Sequence, residues 1–553
     1  MMHMFLLKGQ PRCDGLRRQS LPAAWILLLL LLASCAPSSG ILRAVGYSGG
    51  EIGGVSADEP RAAIVAREVL GFGGNAMDAA VALYFTSAVT FPANASLGAG
   101  GACLVFDAEN RKIESLLFPA VPPPSADDNT RLKIAIPGAV RGMFALHARY
   151  GVLKWSQLLA PAEQAARLGH PMSRAMAKDL ARVAAPLFNN PDIAAIFSRE
   201  DGTPLDEGEL LVQLALAAII SQLRSRGPGS FYSGALARTL VKSVTSSGGS
   251  LTMDDLRGYQ PEWRETIQTP YGDNVIHSTP PPLPGGVGLL QMWEMLQRDD
   301  RYAEADPAER RHLLAEVSMR SFADRSSWLT PGAAPGEAAA LLAEDRIERL
   351  MAGYQPDRHT PASALNPPPA KRRESPSGTS FLVVDGRGNA VACSLSLNNF
   401  FGRGWIAPGT GIIMAAARPA DRGAISAMAP VMMVNRKAGD LFLAAAASGG
   451  AVAPSALLQV MARTLIDGES LDAAIKAPRI FHGGRPDVVV YEPGEAVENL
   501  NGLRLRGHLV FQAPALGRVN AVFCRKGIAT NPAGCSVKVD PRGFGLASFV
   551  QFD

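Results

Sequence analysis

The segment that most limits what this chain can become is residues 375–404. A polar stretch rich in Ser and Pro delivers Thr379 and Ser380 to the mouth of an apolar run, Phe381–Val384. A turn over Asp385–Asn389 follows, and then a second apolar run over Ala390–Leu397. Two short apolar, β-branched runs around a Gly/Asn turn read as a pair of strands. A hydroxyl at the head of a buried strand, behind a polar segment, can do something an ordinary strand start cannot. Backbone cleavage in front of Thr379 would make its hydroxyl a nucleophile and the new α-amine the base beside it. Left uncut, Thr379 and Ser380 merely begin a strand.

The N-terminus reads as an export signal. Lys8, Arg12, Arg17 and Arg18 precede an apolar run, Leu21–Leu32, too short to span a bilayer comfortably, and Leu32-Ala33-Ser34-Cys35 has the form of a lipobox. Residues 1–34 are expected to be a lipoprotein signal peptide. Cys35 would be the lipidated residue of a periplasmic chain tethered to the outer membrane, with 35–50 as a flexible Gly/Ser-rich tether. The net charge of +4 over 553 residues carries no basic stripe with interleaved aromatics, so nucleic acid is not an expected partner. Cys103 and Cys393 lie inside apolar strand patterns and are expected to be small buried thiols. Cys524 and Cys535 flank a Gly/Asn/Pro stretch and read either as a hairpin-closing disulfide or as two free thiols. The eight histidines are scattered, no Cys/His group has zinc spacing, and no metal or cofactor is expected.

Beyond the tether, helical and strand patterns alternate. Pro60–Leu70 is a helix stopped by Gly71-Phe-Gly-Gly74, and Asn75 caps an Ala-rich helix, Ala76–Thr90. Arg141–Tyr150, Trp155–Leu168 and Glu209–Arg226 follow as helices, with a strand near Asn274–His277 and helices over Gly288–Leu296, Ala308–Trp328 and Gly336–Ala352. Residues 353–378 are rich in Pro, Ser and charge and read as a linker. After it come short strands broken by Gly, among them Val431–Asn435 and Leu441–Ala446, and a helix over Pro454–Asp467. Helices in the first part and strands in both suit a layered α/β architecture.

From Glu51 to the C-terminus, several blocks in order resemble the gamma-glutamyltranspeptidase family: Gly73-Gly-Asn-Ala-Met-Asp-Ala-Ala-Val81, Leu97-Gly-Ala-Gly-Gly101, Pro137-Gly-Ala-Val-Arg-Gly142, Gly388-Asn-Ala-Val-Ala392, Ser448-Gly-Gly450 and Asp540-Pro-Arg542. The resemblance implies a four-layer αββα N-terminal-nucleophile hydrolase fold, made as one precursor and self-cleaved into two chains that stay associated. Residues 51–378 would be the large-subunit-like part and 379–553 the small. It also implies transfer or hydrolysis of a gamma-glutamyl or other acyl group from a small amide such as glutathione, through an acyl-enzyme.

Carried over residue by residue, the resemblance is uneven. The family nucleophile stands seven residues before the position of Asp385, which falls on Gly378; Thr379 takes the role only if the strand entry is one residue shorter. Because a one-residue slip turns a strand side chain to the opposite face, this register matters. Ser396 falls on a hydroxyl that bonds the nucleophile, Asn398 on a substrate-contacting residue, and Gly449-Gly450 on the backbone that holds the oxyanion. The Arg that pairs with the substrate α-carboxylate is replaced by Phe118, and the acid that holds the α-amine by Ala420. Asp421, one residue on, and Arg418 are the candidates to compensate, and Ser426 is retained from a pair whose second member is Ala427. A family fold that is never cut, serving as a binding or structural module, is the alternative.

Overall fold

A computed structural model describes residues 53–127, 129–329, 337–367, 375–418 and 427–550. The signal peptide, Cys35, the tether, Asp421 and Ser426 lie outside the described residues. Among those described, no helix is long and apolar enough to cross a membrane.

Thirteen strands build two sheets. Before residue 375 they are β1 (Gly53–Ala57), β2 (Gly100–Asp107), β3 (Lys112–Phe118), β4 (Glu262–Arg264), β5 (Ile267–Tyr271) and β6 (Asn274–Ser278). After it come β7 (Thr379–Val384), β8 (Ala390–Ser396), β9 (Val431–Asn435), β10 (Leu441–Ser448), β11 (Arg518–Cys524), β12 (Cys535–Lys538) and β13 (Leu546–Val550). The first sheet runs β13-β1-β7-β8-β2-β3-β4 and the second β12-β11-β10-β9-β6-β5. Both are antiparallel throughout. β7 is therefore an interior strand, between its hairpin partner β8 and β1, which lies more than 300 residues earlier.

The period-2 alternation of these strands sorts their side chains into layers. Leu382 and Val384 of β7, Ala390 and Ala392 of β8, and Leu104 and Phe106 of β2 meet Met432, Ala444, Ala446 and Val522 of the second sheet in the core between the sheets. Their neighbours Phe381, Val383, Val391 and Val105 turn the other way, into a core beneath helices α1 (Pro60–Gly71), α2 (Ala76–Thr90), α3 (Ala139–Tyr150) and α4 (Trp155–Leu168). The outer face of the second sheet, with Ile276, Val431, Met433 and Ala445, is covered by α5 (Pro284–Gln297), α6 (Pro307–Trp328) and α7 (Ala453–Met461). This is the αββα sandwich of N-terminal-nucleophile hydrolases. α2 is buried at every position, and its alanines allow a helix to lie in the middle of such a layer. Asn75 starts it with a capping box shared with Asp78.

Two local readings change. Leu210–Leu211 pair with His170–Pro171 as a short ribbon, so the helix expected from Glu209 begins at Leu214. Cys103 and Cys393 are not free thiols: they face each other across β2 and β8, Cα atoms 4.1 Å apart, in a disulfide. Strand register brings together residues 290 positions apart, which no local pattern signals. Cys524 and Cys535 form the second disulfide, across β11 and β12. Replacing both Cys103 and Cys393 by Ala is expected to lower stability by about 2–5 kcal/mol in urea unfolding under non-reducing conditions. A loss under about 0.5 kcal/mol, the range of a neutral surface change, would mean the bond does not constrain the unfolded chain.

Candidate active site

Thr379 is the first residue of β7 and pairs with Leu395 of β8 in regular register, without a bulge. Its parity is that of Phe381 and Val383, so the strand alone would aim it at the helices. Its hydroxyl nevertheless donates to Asp58 Oδ2, 3.2 Å away. Asp58 follows the end of β1 and is itself buried, with its backbone N–H on the carbonyl of Ser380. Its carboxylate accepts from the Ser380 N–H at 3.1 Å, the Ser448 hydroxyl at 2.9 Å and Asn520 Nδ2 at 2.8 Å. The Arg518 guanidinium lies 3.8 Å from it. Strands of both sheets thus converge on one carboxylate beside the Thr379 hydroxyl.

Arg518, the first residue of β11, ties this corner to the peptide bond in front of Thr379. Its Nη2 donates to the carbonyl of Gly378 at 2.8 Å, its Nε to Ser448 Oγ at 3.1 Å, and its Nη1 faces Asp179 Oδ2 at 3.5 Å. On the other side of that residue, the Gly378 N–H donates to Asn94 Oδ1 at 2.8 Å, and Asn94 Nδ2 donates to Asp179 at 2.7 Å. Gly378 has φ +108°, a conformation side-chain-bearing residues rarely adopt, so a Thr could not occupy this position without refolding the strand entry.

Gly449 and Gly450 follow Ser448 directly. With φ of +124° and +64° they turn the chain from β10 toward α7, and a Cβ on Gly449 would stand 2.8 Å from Gly517 Cα. Ser448 therefore carries the expected oxyanion-binding glycines to the corner that holds Asp58. Ser396, Asn398 and Arg418 form a neighbouring group at and beyond the C-terminal end of β8, beside the start of β7. Ser396 Oγ accepts from the Asn398 N–H at 2.9 Å, Asn398 Nδ2 donates to the Ala416 carbonyl at 2.8 Å, and Arg418 Nη2 donates to the Asn398 carbonyl at 3.2 Å. Ser396 lies opposite Gly100 on one side and one residue beyond the Leu395–Thr379 pair on the other. It thus stands across from where Gly378 would continue the ladder. Phe118 is fully buried; its ring sits where a Cβ on Gly142 would come within 2.3 Å, so it fills space between β3 and α3.

Sequence reasoning singled out Thr379, Ser396, Asn398, Gly449 and Gly450 and missed Asp58, Arg518, Asn520, Asn94 and Asp179. Asp58 looks like the start of a helix, but that cap belongs to Glu59, whose carboxylate takes the Ala62 N–H. The histidines are also less scattered in space than in sequence: His312, His359, His482 and His508 gather with Glu316 and Asp487. One ring nitrogen from each of His359, His482 and His508 lies within 4.8 Å of one from each of the others. Burial alone would strip His359 of its proton, but the carboxylates of Glu316 and Asp487 hold its pKa above the ordinary histidine value.

The layered αββα body is the fold of N-terminal-nucleophile hydrolases, and the comparisons with known proteins narrow the class. The gamma-glutamyltranspeptidase family model matches residues 62–550, and the chain belongs to that family, whose enzymes are of amidase and acyltransferase type. It is 28% identical over 516 residues to a glutathione hydrolase proenzyme of Escherichia coli, spanning 85% of this chain and 88% of the relative. To the acylase ACY 1 proenzyme of a Pseudomonas species it is 29% identical over 541 residues, 88% of this chain and 91% of the relative. The crystal structure of a cephalosporin acylase from Bacillus halodurans superposes with a TM-score of 0.77 over 90% of this chain and 96% of that one; at 24% identity this likeness speaks for the fold.

Proposed function

We propose that this protein is a self-processing amidase or acyltransferase that cuts its own Gly378–Thr379 bond and then uses Thr379 as nucleophile. The observation that carries the reading is the pair of contacts around that bond: the Thr379 hydroxyl on Asp58, and the Gly378 carbonyl on Arg518. In the first turnover the hydroxyl oxygen attacks the Gly378 carbonyl carbon and gives its proton to Asp58. Arg518 holds the oxygen as it becomes negative. The C–N bond then breaks, the proton passes to the leaving nitrogen, and water hydrolyses the resulting ester. Gly378 is left with a carboxylate and Thr379 with a free amine. That amine serves as the base for later turnovers, in which Thr379 takes an acyl group from an amide, Gly449 and Gly450 face the oxyanion, and water or an amine accepts the acyl group. The two chains, residues up to 378 and from 379 onward, stay together because the β7–β8 pair of the second lies between β1 and β2 of the first inside one sheet.

The acyl group is proposed to be less polar than a gamma-glutamyl head. A buried phenyl ring cannot replace a bidentate Arg–carboxylate pair. The proenzyme relatives include both a glutathione hydrolase and an acylase, so both substrate classes belong in the screen. A lipid anchor at Cys35 would hold the enzyme at the outer membrane facing the periplasm. The second reading, an uncut binding module, draws on the regular Thr379–Leu395 register and on Gly378 standing where Ser396 would meet a nucleophile.

Intact mass and N-terminal sequencing of the purified chain, beside Thr379→Ala, separate the two. Two fragments, the smaller beginning at Thr379, and a single uncut chain in the variant are the expected result. A single chain in both would establish the second reading. For a processed enzyme, faster turnover of apolar N-acyl amides than of a gamma-glutamyl anilide is expected, and the reverse order would overturn the proposed acyl group.

A further inference from the structure

Away from the Thr379 corner, the histidine cluster has a feature its own hydrogen bonds do not account for. His312, on α6, places Nε2 2.8 Å from the Gln355 carbonyl, which can only accept, so Nε2 carries the proton. Burial favours the neutral ring, leaving Nδ1 as a lone pair, 2.7 Å from His508 Nε2. His508 Nε2 must therefore be the donor, and His508 Nδ1 is left as a bare acceptor. That nitrogen is buried on a residue only 3% exposed and has no hydrogen-bond partner among the described residues. An orphaned buried acceptor is costly unless something fills it.

The surroundings say what could. The His359 ring lies over His508, centroids 4.3 Å apart. Its Nδ1 faces Glu316 Oε1 at 3.1 Å and its Nε2 faces Asp487 Oδ1 at 2.9 Å. His482 accepts the Gly484 N–H on Nδ1, so its own proton sits on Nε2, 3.1 Å from the same Asp487 oxygen. It steers that carboxylate and has no lone pair to offer.

We propose that His359 Nε2, His508 Nδ1 and Asp487 Oδ1 bind one divalent transition-metal ion, with zinc the ion this two-nitrogen, one-oxygen set suits best. Every ligand already has the outer partner that metal sites require. Glu316 takes the Nδ1 proton of His359, His312 takes the Nε2 proton of His508, and His482 donates to Asp487. The ion replaces the proton between His359 and Asp487, which leaves to solvent, while Glu316 keeps its ion pair with Arg320. Ligand bonds of about 2.1 Å in a tetrahedron put donor atoms about 3.4 Å apart. Ring nitrogens of His359 and His508 lie within 4.8 Å of each other, so these two rings close by up to about 1.4 Å. Asp487 is not part of that close group; it stands 2.9 Å from His359, and its side chain must turn toward His508 to complete the set. The Asp487 side chain is 38% exposed, which admits a water as fourth ligand. His359 precedes Thr379, while Asp487 and His508 follow it, so the ion would staple together the two parts of the chain. This site does not depend on whether the Gly378–Thr379 bond is cut.

The test uses untagged full chain, equilibrated with zinc, gel-filtered and measured for metal. About one zinc per chain is expected, with an anomalous peak at the zinc edge between His359, His508 and Asp487. His508→Asn and His359→Gln are expected to retain less than a tenth as much. X-ray absorption on the unmodified protein keeps the proposal falsifiable should either variant misfold, and should show two imidazoles and no sulfur at about 2.0–2.1 Å. Absence of retained zinc in the unmodified chain, a peak elsewhere, or folded variants that still hold the metal would each overturn it.

Discussion

Arg518→Met is expected to destabilise the folded chain by about 3–5 kcal/mol, the cost of removing one partner from a buried ion pair and leaving the other. Met keeps most of the side-chain volume, so little of the loss is a cavity. What remains is the carboxylates of Asp58 and Asp179 without their shared cation, together with a Gly378 carbonyl and a Ser448 hydroxyl that each lose a guanidinium contact. Asp58 keeps four hydrogen-bond donors, which limits the damage and leaves the variant folded. Urea unfolding at neutral pH measures the effect, and a shift of the midpoint at constant slope would assign it to the native state. A loss below about 1 kcal/mol, the value of an exposed pair, would mean that solvent reaches the guanidinium and the corner is open to water. The same variant should leave the Gly378–Thr379 bond intact even in urea-free buffer where the protein is folded, because the carbonyl has lost its cation.

How much of this corner could be read from sequence follows from the range of each interaction. Asn75 and the helix after it were legible because a cap and a 3.6-residue pattern are contained within a few neighbours. Thr379 was legible as the head of a strand for the same reason. The partner of its hydroxyl was not: Asp58 lies 321 residues earlier and is hidden behind Glu59, which has the ordinary role of helix cap. Arg518 and Asn520 carry no local signature at all, since an Arg at the start of a strand is normally solvated. The Cys103–Cys393 bond and the histidine cluster fall in the same class, as each is assembled by strand register or by the packing of α6 against loops near the C-terminus. The resemblance supplied the fold and pointed to Ser396, Asn398 and the glycines at 449 and 450. In the folded chain the Ser396 hydroxyl accepts the Asn398 N–H, a contact within two residues that no strand pattern announces.

Phe118→Arg, the substitution that would put back the family's carboxylate-binding side chain, is expected to leave the chain largely unfolded. The phenyl ring is fully buried, and the space around it is shaped by glycines: Gly142 and Gly101 approach it so closely that even a Cβ on either would fall within 2.3–2.6 Å of the ring. A guanidinium here loses the apolar contacts of the ring, worth about 3–5 kcal/mol, and adds the desolvation of an unpaired charge, several kcal/mol more. Together these are comparable to the whole stability of a typical domain, about 5–15 kcal/mol. On the β2 side, Leu116, Leu117 and Phe118 pair with Cys103, Ala102 and Gly101, none of which offers a carboxylate to a guanidinium at position 118. Soluble yield, circular dichroism and limited proteolysis report the loss, and Phe118→Leu, which keeps an apolar side chain, serves as the tolerated control. A folded Phe118→Arg protein that gained gamma-glutamyl hydrolysis would show that position 118 lines the substrate pocket, and would reverse the proposal of a less polar acyl group. An unfolded one places the difference from glutathione hydrolases in the packing between β3 and α3, out of reach of a single substitution, because the glycines facing the ring are fitted to it.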